Sequence, residues 1–130
     1  MYLNAHTYYS LRYGTLGPFE LAHQAAQCGV TTLVLTDINN TSCSFDFIRA
    51  CEQEGIRPVL GIEFRQEGKL LYLGIAKNNA GFRALNAHLS THSLAQKPLS
   101  ALAPPFTDVF VVYPQSPKPL EALREYEYIG

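Results

Sequence analysis

Three short apolar runs in this chain end in side chains able to do chemistry. They are Leu3-Asn4-Ala5-His6-Thr7, Leu33-Val34-Leu35-Thr36-Asp37-Ile38-Asn39-Asn40 and Val59-Leu60-Gly61-Ile62-Glu63-Phe64. Side chains at the carboxyl ends of parallel strands converge on one face, and α/β folds keep their sites there. His6 offers an imidazole that can ligate a transition metal or serve as a hydrogen-bonded structural group. Glu63 follows an apolar run, so its carboxylate is expected to be partly buried and must find a cation or several donors. Asp37 can orient a ligand from behind, or simply cap the loop Asp37–Thr41. A hydrolytic metal site wants three or more protein ligands per ion. This face offers two or three, interleaved with Asn4, Ile38 and Asn39, which mostly cannot serve.

Other candidates carry less. His23 falls inside a predicted helix. His88 and His92 stand one helical turn apart, a spacing that can grip a metal, but no Glu lies between them as a zinc-protease motif requires, and they are expected on a solvated face. Gly14-Thr15-Leu16-Gly17 precedes a helix without the glycine spacing of a phosphate-binding loop. Tyr8, Tyr9 and Tyr13 can either stack on nucleobases or pack the mouth of the fold.

These residues need elements to hold them. Tyr2–His6 reads as a strand, and Pro18–Cys28 as a helix with Pro in its first turn and Gly29 just past its end. Thr32–Thr36 is a β-branched apolar run suited to a strand covered on both faces. Ser42 or Ser44 can cap a second helix through Glu54, with Phe45, Ile48 and Cys51 on its apolar side. Pro58–Phe64 and Leu70–Ala76 flank the turn Gln66–Lys69, too short for a crossover, so this pair is expected to be antiparallel. Ala80–Leu94 reads as a third helix with Phe82, Leu85 and Leu89 on one side. A proline-rich connection follows, then a strand at Val109–Val112, a break at Pro114–Pro119 and a short helix at Leu120–Glu125. The order β-α-β-α-β-β-α-β-α indicates an α/β fold, an open sheet or part of a barrel.

Composition bounds the rest. The chain has 130 residues, 47% of them hydrophobic and 16% charged, enough for one domain with a real core. A formal net charge of -1 gives no basic face for free-standing nucleic-acid binding. Cys28, Cys43 and Cys51 match no zinc spacing and read as small buried hydrophobes in a reducing cytosol. No apolar stretch approaches the roughly 20 residues needed to span a bilayer, and Met1 leads directly into the first strand without a secretory signal. A cytoplasmic location and no membrane partner are expected.

The strand-end motifs together resemble a known family. Tyr2-Leu3-Asn4-Ala5-His6-Thr7-Tyr8-Tyr9-Ser10-Leu11 followed by Gly14-Thr15 is similar to the opening of the polymerase and histidinol phosphatase (PHP) domain, in the version found at the N-terminus of bacterial DNA polymerase III alpha subunits. Val34-Leu35-Thr36-Asp37 with Ile38-Asn39-Asn40, and Gly61-Ile62-Glu63-Phe64, resemble its second and third motifs. Leu73 to Leu85 resembles the strand and helix that follow. The resemblance implies the first half of a distorted (β/α)7 barrel, with a PHP portion over 1–95, a proline-rich connection over 96–107, and a strand and short helix over 108–130. Later barrel motifs would lie past Gly130.

The family's metal cluster maps imperfectly. Its His-x-His is Asn4-Ala5-His6 here, its acidic or His ligand before the glycine is Tyr13, and its His after Thr-Asp is Ile38. Val109 to Pro114 supplies neither the His nor the Cys of a later strand. His6 and Glu63 remain as vestigial ligands beside Asp37, while Asn4, Tyr13 and Ile38 are lost ligand positions. The resemblance therefore implies a non-catalytic segment of a DNA-directed DNA polymerase, with no cofactor expected. Zinc, manganese or magnesium would be implied if the site worked as a phosphoesterase or 3′–5′ exonuclease. Implied partners are the rest of the polymerase chain, which would make any DNA contact, and a proofreading exonuclease subunit. A stand-alone interaction module is the other reading, and the unpaired edges of a partial barrel would favour self-association.

Overall fold

The computed structural model describes residues 2–115 and 117–130. Its elements are β1 (Tyr2–Ala5), α1 (Pro18–Gln27), β2 (Thr32–Leu35), α2 (Ser44–Gln53), β3 (Arg57–Gln66), β4 (Lys69–Ala76), α3 (Asn79–Leu94), β5 (Val109–Tyr113), a 3-10 turn (Leu120–Ala122) and β6 (Glu127–Ile129). The strands form one curled sheet in sequential order. β1, β2 and β3 run parallel, β4 returns antiparallel, β5 reverses again, and β6 lies parallel to β5. The carboxyl ends of β1, β2 and β3 therefore share one end of the sheet.

Each helix follows from its ends and its apolar stripe. Pro18 opens α1, the Glu20 carboxylate accepts from the Gly17 amide at 3.0 Å, and Gly29 leaves the helix at φ +71°. The Asn78 side chain accepts from the Gly81 amide and caps α3. α2 departs from the sequence reading. Cys43 holds the N-cap position without a side-chain cap, while Ser44 Oγ donates to the Thr41 carbonyl instead. The buried face of α2 is Ser44, Phe47, Ala50 and Cys51, and Phe45 is exposed.

Two cores result. α1 and α2 cover one face of β1–β3 with Ala22, Ala25, Leu33, Leu35, Phe47 and Cys51. α3 and the segment around Leu99–Phe106 cover β3–β5 with Ile62, Phe64, Tyr72, Leu85, Val109 and Tyr113. The inner face of the curl bounds an apolar cavity of about 620 Å³ that takes residues from both edge strands, Leu3 of β1 and Tyr128 of β6.

Four further points differ from the sequence reading. β6 was not anticipated, and the expected helix at Leu120–Glu125 shrinks to the 3-10 turn. Cys28 is exposed, whereas Cys43 and Cys51 are buried. His88 does not lie on a solvated face: its Nε2 lies 3.0 Å from the Tyr72 hydroxyl and its ring packs edge-on against Phe64 and Phe106, burial lowering its pKa. The expected break at Pro114–Pro119 includes Ser116, and the expected signal-free start includes Met1; both residues lie outside the described ones. No helix among the described residues is long and apolar enough to cross a membrane.

Candidate functional site

At the end of β1 the chain turns sharply, and the turn is built around Asp37. The Asp37 carboxylate accepts from the Thr7 amide at 2.8 Å, Thr7 Oγ1 at 2.6 Å and Ser10 Oγ at 2.6 Å. Asp37, Thr7 and Ser10 are all buried. Ser10 Oγ in turn accepts from the Ile38 amide at 2.9 Å. Asp37 thus caps a loop, but the loop is Thr7–Ser10 and not its own. The loop Asp37–Thr41 is closed by Asn40, whose Oδ1 accepts from the Ser42 amide. Gly14 completes the turn, because a Cβ there would come within 1.9 Å of the Thr7 carbonyl oxygen.

β2 and β3 stay joined beyond Leu35. Ile38 bridges Glu63, the Glu63 amide donates to the Asp37 carbonyl at 3.2 Å, and the Asn39 amide donates to the Glu63 carbonyl at 3.0 Å. Asn39 then takes a left-handed φ of 48° and pairs with the Arg65 backbone through its side chain. Its Nδ2 donates to the Arg65 carbonyl at 2.8 Å and its Oδ1 accepts from the Arg65 amide at 3.0 Å. An amide side chain can do this because it carries both a donor and an acceptor, like a peptide group. Ile38 brings no ligating atom and serves through its backbone.

Glu63 lies at the centre of the site, fully buried. His6 Nε2 donates to its Oε2 at 2.9 Å, and Asn4 Nδ2 donates to the same oxygen at 3.2 Å. Arg65 Nε donates to Oε1. The Thr36 hydroxyl donates to Asn4 Oδ1 at 2.6 Å, which fixes the Asn4 amide with its N–H toward Glu63. Arg65 Nη1 donates to the Tyr13 hydroxyl at 2.8 Å and to the Gly68 carbonyl at 3.1 Å, and the guanidinium lies 4.1 Å from the Tyr13 ring centroid. The Tyr13 ring also approaches His6 edge-on at 6.4 Å. Burial pushes the Glu63 pKa up, but the hydrogen bonds and charges of His6 and Arg65 outweigh it and hold the carboxyl below its ordinary value.

The sequence-predicted residues therefore divide. His6, Glu63 and Asn4 meet directly, and Tyr13 joins them through Arg65. Asp37 serves the adjacent turn, and Ile38 stands alongside as backbone. Sequence reading missed Arg65 and the clip by Asn39. The available signal was the alternation Glu63-Phe64-Arg65, which puts both charges on one face of a strand.

This donor set does not fit a metal ion. A ligand must present a lone pair, yet Asn4 presents an N–H, Ile38 presents carbon, and a guanidinium adjoins Glu63. Among the described residues no group of three or more His, Cys, Asp or Glu side chains is placed to hold a metal. Tyr8 and Tyr9 pair at 4.9 Å, Tyr13 stacks on Arg65, and Tyr9, Tyr13 and Arg65 line one shallow pocket beside the site. His23 reaches Glu54 of the α2 end at 3.0 Å.

A family model described as the PHP domain matches residues 3–127. The error-prone DNA polymerase of Symbiobacterium thermophilum is 32% identical over 110 residues, covering 80% of this chain and 10% of that protein. The DNA polymerase III subunit alpha of Mycoplasma genitalium is 30% identical over 119 residues, covering 86% of this chain and 13% of that protein. The chain thus spans about a tenth of the length of these curated relatives. Among solved structures, an amidohydrolase from Chromobacterium violaceum with bound sulfate and no metal superposes with a TM-score of 0.57 at 26% identity, over 72% of this chain and 33% of that one. A protein from Bifidobacterium adolescentis assigned as a metal-dependent phosphoesterase shares the fold, with a TM-score of 0.55 at 24% identity over 72% of this chain and 31% of that one.

Proposed function

The chain belongs to the PHP domain family, and from that footing we propose that it is a non-catalytic structural segment of a DNA-replicating polymerase of the DNA polymerase III alpha type. One observation supports this above the others. Glu63, the strongest metal-binding group of the site, has both oxygens engaged by Asn4, His6 and Arg65. A carboxylate so engaged is a strut between β1 and β3, not an open ligand. The relatives are polymerases about seven to eight times as long, so the surface this segment presents serves the rest of such a chain in the cytoplasm, with a proofreading exonuclease subunit as the second docking partner. Nucleotidyl transfer and DNA contact belong to that longer chain. We read 1–95, the connection 96–107 and 108–130 as parts of one unit, within the PHP match over 3–127.

The test has two arms. The purified chain is incubated with Mn²⁺ or Zn²⁺ and either a phosphomonoester or a 3′-end-labelled DNA strand, beside a His6→Ala, Glu63→Ala control. Equal background rates are expected, and hydrolysis above the control would overturn the non-catalytic reading. The chain is then mixed with a DNA polymerase III alpha subunit lacking the matching segment. Co-elution is expected on size exclusion, and separate elution would overturn the docking role.

A further inference from the structure

We infer that Arg65 is a built-in cation that takes over, against Glu63, the charge-balancing task a metal would perform, so that this end of the sheet is held together without one. The inference rests on the non-catalytic reading and deepens it by naming what replaced the metal.

A fully buried carboxylate demands a counter-charge. Arg65 supplies one that cannot be neutralised, since a guanidinium stays protonated at any pH a protein survives. Its placement is over-determined. Nε donates to Glu63, Nη1 is shared by the Tyr13 hydroxyl and the Gly68 carbonyl, and the plane stacks on the Tyr13 ring. The backbone on either side of its Cα is clipped by Asn39 in both directions. The register of β3 against β4 shifts beside Arg65, where Leu71 of β4 is the extra residue, while Glu63 and Arg65 keep to one face of β3. The guanidinium side chain is only 17% exposed, so solvent screens the pair weakly.

The residues at the lost ligand positions suit a cation that comes from the chain. Tyr13 offers Arg65 a hydroxyl acceptor and a π face, where a metal would have needed an acid or an imidazole. Asn4 offers Glu63 an N–H, which a metal-bound carboxylate oxygen would not need there. The changes are thus complementary to Arg65, beyond being unsuited to a metal. The Arg65 fork reaches from β3 to the Tyr13 loop and to Gly68, and so ties these pieces of backbone together.

The experiment is a double-mutant cycle on the full chain. Wild type, Glu63→Gln, Arg65→Gln and the double variant are unfolded in urea with EDTA, and wild type is repeated with Zn²⁺ and with Mn²⁺. The expected coupling between the two sites is about tenfold or more in the unfolding equilibrium, and the wild-type midpoint is expected to be the same with EDTA or metal. Additive effects would overturn this inference and leave the non-catalytic reading standing. Stoichiometric metal binding that stabilises the wild type would overturn both. Should Arg65→Gln fail to fold, Arg65→Lys carries the test: a point charge can face Glu63 but cannot also clamp Tyr13 and Gly68, so intermediate stability is expected. Stability equal to wild type for Arg65→Lys would refute the clamp.

Discussion

Asp37 is the place where one substitution should do most harm to this end of the fold. Asp37→Ala strips the acceptor from three buried donors: the Thr7 amide, Thr7 Oγ1 and Ser10 Oγ. A buried donor left without a partner costs about 1–3 kcal/mol. The two hydroxyls can rotate toward other acceptors, but the Thr7 amide cannot. The three losses share one site and do not add fully, so the expected cost is about 3–5 kcal/mol. Domains of this size are stable by only about 5–15 kcal/mol. Asp37→Asn should recover little, because it faces the same donors with an NH2 group in place of one oxygen. With a urea slope of about 2 kcal/mol per M, the midpoint of Asp37→Ala should fall by about 1.5–2.5 M. Circular dichroism at 222 nm would follow it, through the helices α1, α2 and α3. A fall of less than about 0.5 M would refute the assignment of Asp37 as the organiser of the Thr7–Ser10 turn.

Two further outcomes follow from burial and charge. Burial raises the Glu127 pKa, but the Arg124 amide, Lys118 and the Tyr113 hydroxyl outweigh it and hold the carboxyl below its ordinary 4.5. A carboxyl lowered in the fold contributes stability above that value and loses it as pH falls through the folded pKa, so unfolding followed against pH should steepen below 4.5 and flatten in Glu127→Gln. Among the cysteines, Cys28 is exposed, while burial raises the thiol pKa of Cys43 and pushes that of Cys51 up to about 11. Maleimide labelling of the native chain, read by mass spectrometry, should therefore add one label at Cys28 quickly. Rapid labelling of all three would contradict the packing of α1 and α2 on the sheet.

What was legible in the sequence was whatever periodicity and punctuation carry. The runs Thr32–Thr36 and Pro58–Phe64 are apolar and β-branched because both faces of β2 and much of β3 are covered, and Pro18 and Gly29 mark the ends of α1 by backbone geometry alone. α2 buries a different stripe from the one its sequence suggests. Phe45, Ile48 and Cys51 make an acceptable stripe, but so do Ser44, Phe47 and Cys51, and the second one packs on α1 and the sheet, leaving Phe45 in solvent. β6 was illegible because Glu127-Tyr128-Ile129 is too short for a pattern. It exists through pairing with Val111–Tyr113 and through Glu127, whose carboxylate gathers Tyr113, Lys118 and Arg124. His88 misled for the opposite reason: its helical spacing from His92 suggested one shared face, but only tertiary contacts with Tyr72, Phe64 and Phe106 decide how deep that face lies.

The same limit explains why the site was half read. Strand-end placement points to His6 and Glu63, and only the family resemblance marks Asn4, Tyr13 and Ile38 as positions where ligands would be expected. Compensation is a pairwise property, and it sits off the motif. Arg65 falls after the strand-end signal, and Asn39 stands among the residues that mostly cannot ligate a metal. Yet a buried Glu63 without a cation would either take up a proton or destabilise the fold, so some charge has to stand against it. That charge must be reachable from the same strand or its neighbours, and it must be held still to count. Arg65 meets both demands, from two residues along β3 and through the Asn39 clip and the Tyr13 stack. When a strand-end carboxylate is fully buried, the informative search is along the same face of its own strand for the residue that neutralises it.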